Sequence, residues 1–151
     1  MSEPVEIARP VARVLLLDPG NRVLLLFDDR DEDHGPFWYP PGGRIEEAET
    51  PEQAAQRELR EEIGVDLEVG PLVLRCRARF AYGGRLYDQD EWHYVAHTDR
   101  PEKLVSRQGD NETAAVAAHR WWSLADLEAT RDAIFPEGLT EVLRRVVQGE
   151  A

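Results

Sequence analysis

Cysteine is almost missing from this chain. Cys76 is the sole cysteine in 151 residues, which excludes an intramolecular disulfide and fits a reducing, cytoplasmic setting. Long apolar runs are missing too. No stretch approaches the ~20 residues needed to cross a bilayer, so no membrane-spanning helix is expected. Positive charge is scarce: 18 Lys and Arg stand against 30 Asp and Glu, for a net charge of −12 and a pI near 4.7. Such a surface argues against nucleic acid or anionic membrane as partners, because both call for a basic face. Met1 to Glu6 is acidic and has no apolar stretch of the secretory-leader kind, and residues 1–7 are expected to be flexible. Repeats and low-complexity segments are absent. What remains, at 42% hydrophobic and 32% charged, is the make-up of a folded chain, and 1–151 is expected to be a single domain.

The most structured stretch runs from Gly43 to Val65. A glycine loop leads into a helix with both ends written out. Thr50 suits the N-cap, Pro51 the first helical position, and Gln53 completes a capping box. Gly64 supplies a left-handed stop. Ala55, Leu59 and Ile63 recur every four residues as the buried stripe. Glu58, Glu61 and Glu62 then share a neighbouring face at i, i+3 and i+4. Each like-charge pair at that spacing costs a helix about 0.2–0.5 kcal/mol. One reading of the trio is a solvated acidic face. The other is a site for a hard divalent cation such as Mg²⁺, which takes carboxylate oxygens and substrate phosphates. Arg57, one turn before Glu61, is placed to orient it.

The fixed positions of this stretch are Gly43, Glu49, Arg57, Glu58, Leu59, Glu61, Glu62, Gly64 and Val65. They follow the pattern G-x5-E-x7-R-E-U-x-E-E-x-G-U, with U a bulky aliphatic residue. This resembles the Nudix box, the motif of the Nudix hydrolase superfamily. The resemblance implies an α/β/α sandwich with a mixed β-sheet. It also implies Mg²⁺- or Mn²⁺-dependent hydrolysis of a pyrophosphate bond in a nucleoside diphosphate linked to another moiety. By that analogy Glu58, Glu61, Glu62 and the carbonyl of Gly43 hold the metal. Glu61 or Glu62 serves as base, and Arg57 with Glu49 braces the loop against the helix. The rival class is a catalytically silent Nudix-like module that binds nucleotides or regulates. An isomerase of the related isoprenoid type ranks below both.

Taken in order, Val11 to Leu17 and Arg22 to Phe27 flank Asp18-Pro19-Gly20-Asn21 and read as a hairpin covered on both faces. Arg13 interrupts the first run, either snorkelling at a strand end or meeting substrate phosphate. A charged loop, residues 28–35, includes His34 and is read as solvated. Phe37, Trp38 and Tyr39 cannot all face one core in an extended segment, so at least one is free to line a pocket, and Trp38 is the candidate taken. Leu72 to Tyr82 and Arg85 to His97 form a second hairpin around Gly83-Gly84. A two-residue turn there sets Arg79 opposite Asp88 and Arg77 opposite Asp90, as ion pairs on a solvated face. It also sets Gln89 beside Ala78 and Glu91 beside Cys76, on the apolar face. Two polar residues there mark either a site or a slipped register, and Gln89 and Glu91 are taken as substrate-binding candidates. Cys76 reads as a small hydrophobe and His93 as a sheet residue.

Glu112, in a polar segment at 100–113, is a candidate extra base of the kind some Nudix enzymes carry outside the box. Trp121 and Trp122 point to opposite sides of a strand spanning 114–122. Ser123 and Asp126 cap a short helix, Ile134-Phe135-Pro136 is a connector, and Leu139 to Val147 is an amphipathic helix ended by Gly149. Exposed edge strands and the first hairpin are compatible with a homodimer.

Overall fold

The strand-forming runs of the sequence assemble into one mixed sheet flanked by helices, seen here in a computed structural model that describes residues 6–29, 35–101 and 118–149. Strand β1 (Glu6–Leu17) is followed by β2 (Val23–Asp28), β3 (Phe37–Tyr39) and β4 (Gly42–Arg44). Helix α1 (Pro51–Glu58) runs on into a wider π-helical turn at Leu59–Ile63. The hairpin β5 (Leu72–Tyr82) and β6 (Arg85–His97) comes next, then β7 (Ala118–Trp122), α2 (Leu124–Ala129), β8 (Ala133–Ile134) and α3 (Leu139–Val147). Among the described residues the sheet runs β5-β6-β1-β2-β3-β8, with β4 also on β1 and β7 also on β2. The pairings β1–β6 and β3–β8 are parallel and the rest antiparallel. This is the α/β/α sandwich with a mixed sheet that the sequence leads one to expect.

Both faces of the sheet are covered, which is why β1 and β2 are apolar almost throughout. On one side Ala12, Val14, Leu16, Leu24 and Leu26 pack against Ala54, Ala55, Leu59 and Ile63 of the α1 segment. On the other, Leu15, Leu17, Val23, Leu25 and Val95 pack against Leu127 of α2 and Leu139, Val142 and Leu143 of α3. Trp122 joins this second cluster and Trp121 packs on the first. The paired tryptophans thus serve opposite cores, as strand alternation requires.

The first hairpin differs from expectation in a way that matters. Strand β1 begins at Glu6, so Glu6 and Ile7 are not loose; they pair with Leu86 and Tyr87 of β6. The β1–β2 pairing is confined to the closed end, at Leu17↔Val23. Asp18 holds that end, its carboxylate accepting from the amides of Gly20 and Arg22 and pairing with the Arg22 guanidinium. Beyond it the two strands diverge. The free edge of β1 is taken instead by the glycine loop: Val14 N donates to Pro41 O, and Ala12 and Arg13 pair with Gly43 and Gly42. The sheet therefore opens into two halves, β5-β6-β1 and β2-β3-β8, with a cleft between them.

Candidate active site

The helix that carries the acidic trio forms as its sequence dictates. The Thr50 side chain accepts from Gln53 N while Gln53 Oε1 accepts from Thr50 N, and Gly64 ends the segment at φ +82°. The π-helical turn, closed by the Gly64 amide onto the Leu59 and Arg60 carbonyls, was not legible in the spacing. It changes the rotation per residue where Glu61 and Glu62 project. Such turns recur at functional sites because they re-aim side chains without ending a helix.

Arg57 organises the loop around this helix. It grips Glu49 with two hydrogen bonds (2.8 and 3.0 Å) and donates to the Arg44 carbonyl (2.9 Å). It also reaches Glu58 Oε1 (2.9 Å) and Glu61 Oε2 (3.2 Å). The bonds from Arg57 hold the Glu49 carboxyl below its usual range. The Gly42 amide donates to Glu62 Oε1 at 3.1 Å. Burial, and then the Glu58 carboxyl that hydrogen-bonds it, push the Glu62 pKa well up. Two carboxyl groups in contact cannot both stay ionised without a proton or a cation between them. The glycines explain how close the loop comes. A Cβ on Gly43 would stand 2.4 Å from Glu58 Oε1, and one on Gly42 would stand 2.3 Å from Ala12 O. Glu58 and Glu62 in contact against a backbone loop, with Glu61 joined to Glu58 through the shared Arg57 guanidinium, are a hard-oxygen donor set, which fits Mg²⁺ or Mn²⁺.

Next to the loop lies a cavity of about 270 Å³ in the mouth of the split sheet. Aromatic rings from both halves line it, namely Phe37 and Tyr39 from β3, Phe80 and Tyr82 from β5, Tyr87 from β6, and Phe135. The Tyr82 hydroxyl donates to Asp28 at 3.1 Å and so bridges the halves. A buried polar chain crosses its floor. Arg9 Nε donates to Gln89 Oε1 (2.7 Å), Gln89 Nε2 donates to Glu91 Oε2 (2.6 Å), and Arg13 Nε donates to Glu91 Oε1 (3.0 Å). Arg13 also donates to the Pro40 carbonyl (3.2 Å), just ahead of the glycine loop. Burial disfavours both charges of the Arg13–Glu91 pair, but their attraction outweighs it. The pair raises the Arg13 pKa and holds the Glu91 carboxyl below its usual range.

The β5–β6 register is the one read from the Gly83-Gly84 turn, with Cys76 opposite Glu91 and Ala78 opposite Gln89. Gln89 and Glu91 are both buried and both line the cavity. The arginine stripe differs. Its ion pairs run diagonally, Arg75 to Asp90 and Arg77 to Asp88, while Arg79 reaches over to Glu6. Sheet twist brings the diagonal partner within reach of a long side chain. Arg13 does not snorkel outward: Glu91 and the Pro40 carbonyl hold it inside, where it lines the cavity. Trp38 is displaced from its expected role as well. Strand alternation sends Phe37 and Tyr39 to the cavity, and Trp38 into the core against Phe27 and Trp122, its indole N–H donating to Asp132. Phe135 and Pro136, read as a connector, line the cavity, as do Arg9 and Tyr87. Nothing local marked these four, because the approach of β8 and β6 to the cleft is set by tertiary pairing. His34 and Glu112 lie outside the described residues, as do residues 102–117.

A further group of ligand-type side chains, Cys76, Glu91 and His93, comes together on β5 and β6. No described helix is long and apolar enough to cross a membrane.

Comparison with known proteins now bears on the whole chain. It is 44% identical over 57 residues to the 8-oxo-dGTP diphosphatase of Proteus vulgaris, covering 38% of this chain and 51% of that protein. It is 33% identical over 135 residues to an octanoyltransferase of Myxococcus xanthus, covering 84% of this chain and 32% of that protein. The chain thus spans about half or less of the length of these curated relatives. The dihydroneopterin triphosphate pyrophosphohydrolase of E. coli shares the fold, with a TM-score of 0.69 at 19% identity over 95% of this chain and 99% of that one. The NUDIX domain profile matches residues 8–143. With the loop, the capped acidic helix and the sandwich all in place, the chain belongs to the NUDIX family.

Proposed function

We propose that this protein hydrolyses a pyrophosphate bond in a nucleoside diphosphate linked to another moiety, with Mg²⁺ or Mn²⁺ as cofactor. One observation carries the reading: a carboxyl pair, Glu58 and Glu62, is held in contact against the Gly42-Gly43 loop beside an aromatic cavity. Glu58, Glu61, Glu62 and the Gly43 carbonyl are the groups that would hold the metal. Bound there, the cation supplies a water of lowered pKa and offsets charge on the phosphoryl oxygens. The chain's own residues do the rest. Arg57 donates to both Glu58 and Glu61 and ties the loop down through Glu49 and the Arg44 carbonyl. Glu61, the most exposed of the trio, is the favoured proton acceptor. Glu91 is poorly suited to that task because its pair with Arg13 holds its carboxyl below the usual range and makes it a weak base.

The cavity is the base or ring site. Its aromatic rings offer stacking surfaces, and the Arg9–Gln89–Glu91 chain offers polar edges to a heterocycle. The relatives' names point to nucleotide-type substrates in several of those proteins. A nucleoside triphosphate, a nucleotide sugar, ADP-ribose and a dinucleoside polyphosphate all remain within the class. A panel of these with Mg²⁺ or Mn²⁺, read by phosphate or pyrophosphate release, tests the reading. Glu61→Gln should lower kcat by about 10²–10⁴-fold, the range for loss of a general base, with an unchanged circular dichroism spectrum. Turnover at the wild-type rate in that variant would remove the assignment. Nucleotide binding without hydrolysis by the unaltered protein would favour the silent module instead.

A further inference from the structure

Away from the acidic helix, β5 and β6 assemble a second set of ligand atoms of different chemistry. Cys76 faces Glu91 across the hairpin, and His93 follows Glu91 by two residues on the same face of β6. One ligand atom from each, a thiol sulfur, a carboxylate oxygen and an imidazole nitrogen, all lie within 4.8 Å of one another. Ligands of a tetrahedral zinc stand about 3.3–3.8 Å apart, given bond lengths of about 2.0–2.3 Å. Small side-chain rotations close that difference.

His93 is the telling member. It is fully buried, and neither ring nitrogen makes a well-aligned hydrogen bond, although the imidazole lies against the Leu74 and Glu91 backbone. Its Nε2 lies 3.5 Å from Glu91 Oε1, outside hydrogen-bonding geometry. A buried imidazole whose polar contacts are this poorly aligned forfeits free energy that a better partner would restore. We propose that Cys76, Glu91 and His93 form a binding site for a zinc-class transition metal, distinct from the oxygen-ligand site on the acidic helix.

The donor set decides the class of ion. Sulfur and imidazole nitrogen suit Zn²⁺ and its neighbours, whereas Mg²⁺ demands oxygens. Burial, and then the neighbouring Arg13 charge, hold the His93 pKa down at about 4, so its imidazole is neutral near pH 7 and has a lone pair to give. Glu91 is ionised, and each carboxylate oxygen has two lone pairs, so Oε1 accepts from Arg13 and retains capacity for a cation. The Cys76 thiol is protonated in the metal-free site, its pKa pushed up to about 11 by burial and by Glu91. Binding therefore breaks the S–H bond, forms the sulfur–metal bond and releases one proton to solvent. The thiolate so made offsets the opposition from the Arg13 guanidinium. Cys76 is only partly buried, which leaves the ion a path in. Because Glu91 also lines the cavity, an ion here sits on the wall of the substrate site.

Co²⁺ is the probe, because a thiolate–cobalt charge-transfer band can arise from Cys76 alone, the sole cysteine. Titrating the whole protein should give that band at one equivalent. Zn²⁺ should abolish it and excess Mg²⁺ should leave it. Cys76→Ser should eliminate the band, and His93→Gln should weaken Co²⁺ binding by more than the ~10-fold typical of outer-shell changes. No band in the folded protein, or an unaltered affinity in folded His93→Gln, overturns the site. If His93→Gln fails to fold, alkylation of the unaltered protein decides. Zn²⁺ should slow modification of Cys76 at least tenfold where Mg²⁺ does not, and equal rates overturn the proposal. Neither readout depends on pyrophosphate hydrolysis, so failure here is separable from failure of the activity.

Discussion

At the scale of single residues, two adjacent glycines make opposite predictions. A methyl group at Gly43 would meet the far end of the Glu58 side chain, which can swing aside. Gly43→Ala should therefore keep the fold and lose most of the metal-dependent hydrolysis, measured as kcat at saturating Mg²⁺ beside the melting temperature. A methyl at Gly42 would meet the Ala12 carbonyl and the Arg13 Cα, which are backbone and cannot yield. Gly42→Ala should lower the melting temperature itself, by breaking the β1–β4 pairing. The Arg13–Glu91 pair makes a third prediction. Its side chains are only 16% and 5% exposed, so Arg13→Met strands a buried carboxylate and should cost about 3–5 kcal/mol in urea unfolding. Adding Glu91→Leu should recover much of that loss, since the uncompensated charge is then gone. Recovery would identify the pair as a constraint on the cavity floor rather than a net source of stability.

At the scale of elements, α1 depends on its ends. Thr50→Ala removes the acceptor for Gln53 N and should cost about 0.5–2 kcal/mol. The Glu49–Arg57 brace adds a pH dependence with a definite sign. Glu49 has a depressed pKa in the fold, owing to the bonds from Arg57. Its contribution is present above the ordinary carboxylate pKa and is lost as pH falls through the depressed value. Glu49→Gln should thus lower stability near neutral pH and flatten the acid limb, with the two stability curves converging at low pH. Both helix caps, the Gly83-Gly84 hairpin with its register, and the bounds of α3 could be read from the chain. Each rests on contacts within a few residues or on a two-residue turn. The π-helical turn could not, because its hydrogen bonds leave no trace in the residue types.

For the whole molecule, a net charge of −12 opposes an anionic substrate. Long-range repulsion between like charges is screened by salt. Raising monovalent salt at fixed Mg²⁺ should therefore increase kcat/KM modestly, through faster association, with kcat little changed. A steep fall instead would mean that a local positive field around the site governs capture. The cavity itself is a whole-molecule property. It exists because β1 leaves β2 after one pair of residues and takes up the glycine loop, and its walls come from strands far apart in the chain.

The residues alone determined the capped helix, the spacing of Glu58, Glu61 and Glu62 along it, and the placing of Gln89 and Glu91 opposite Ala78 and Cys76. Each of these follows from helical or strand periodicity over short separations. The tertiary structure decided that Trp38 turns to the core while Phe37 and Tyr39 meet the cavity, that Arg13 finds Glu91 across 78 residues, and that His93 lies buried without a well-aligned hydrogen bond. Those outcomes depend on which strands lie side by side and where the sheet divides, and pairing between distant segments is chosen by the packing of the entire core rather than by any local run of residues.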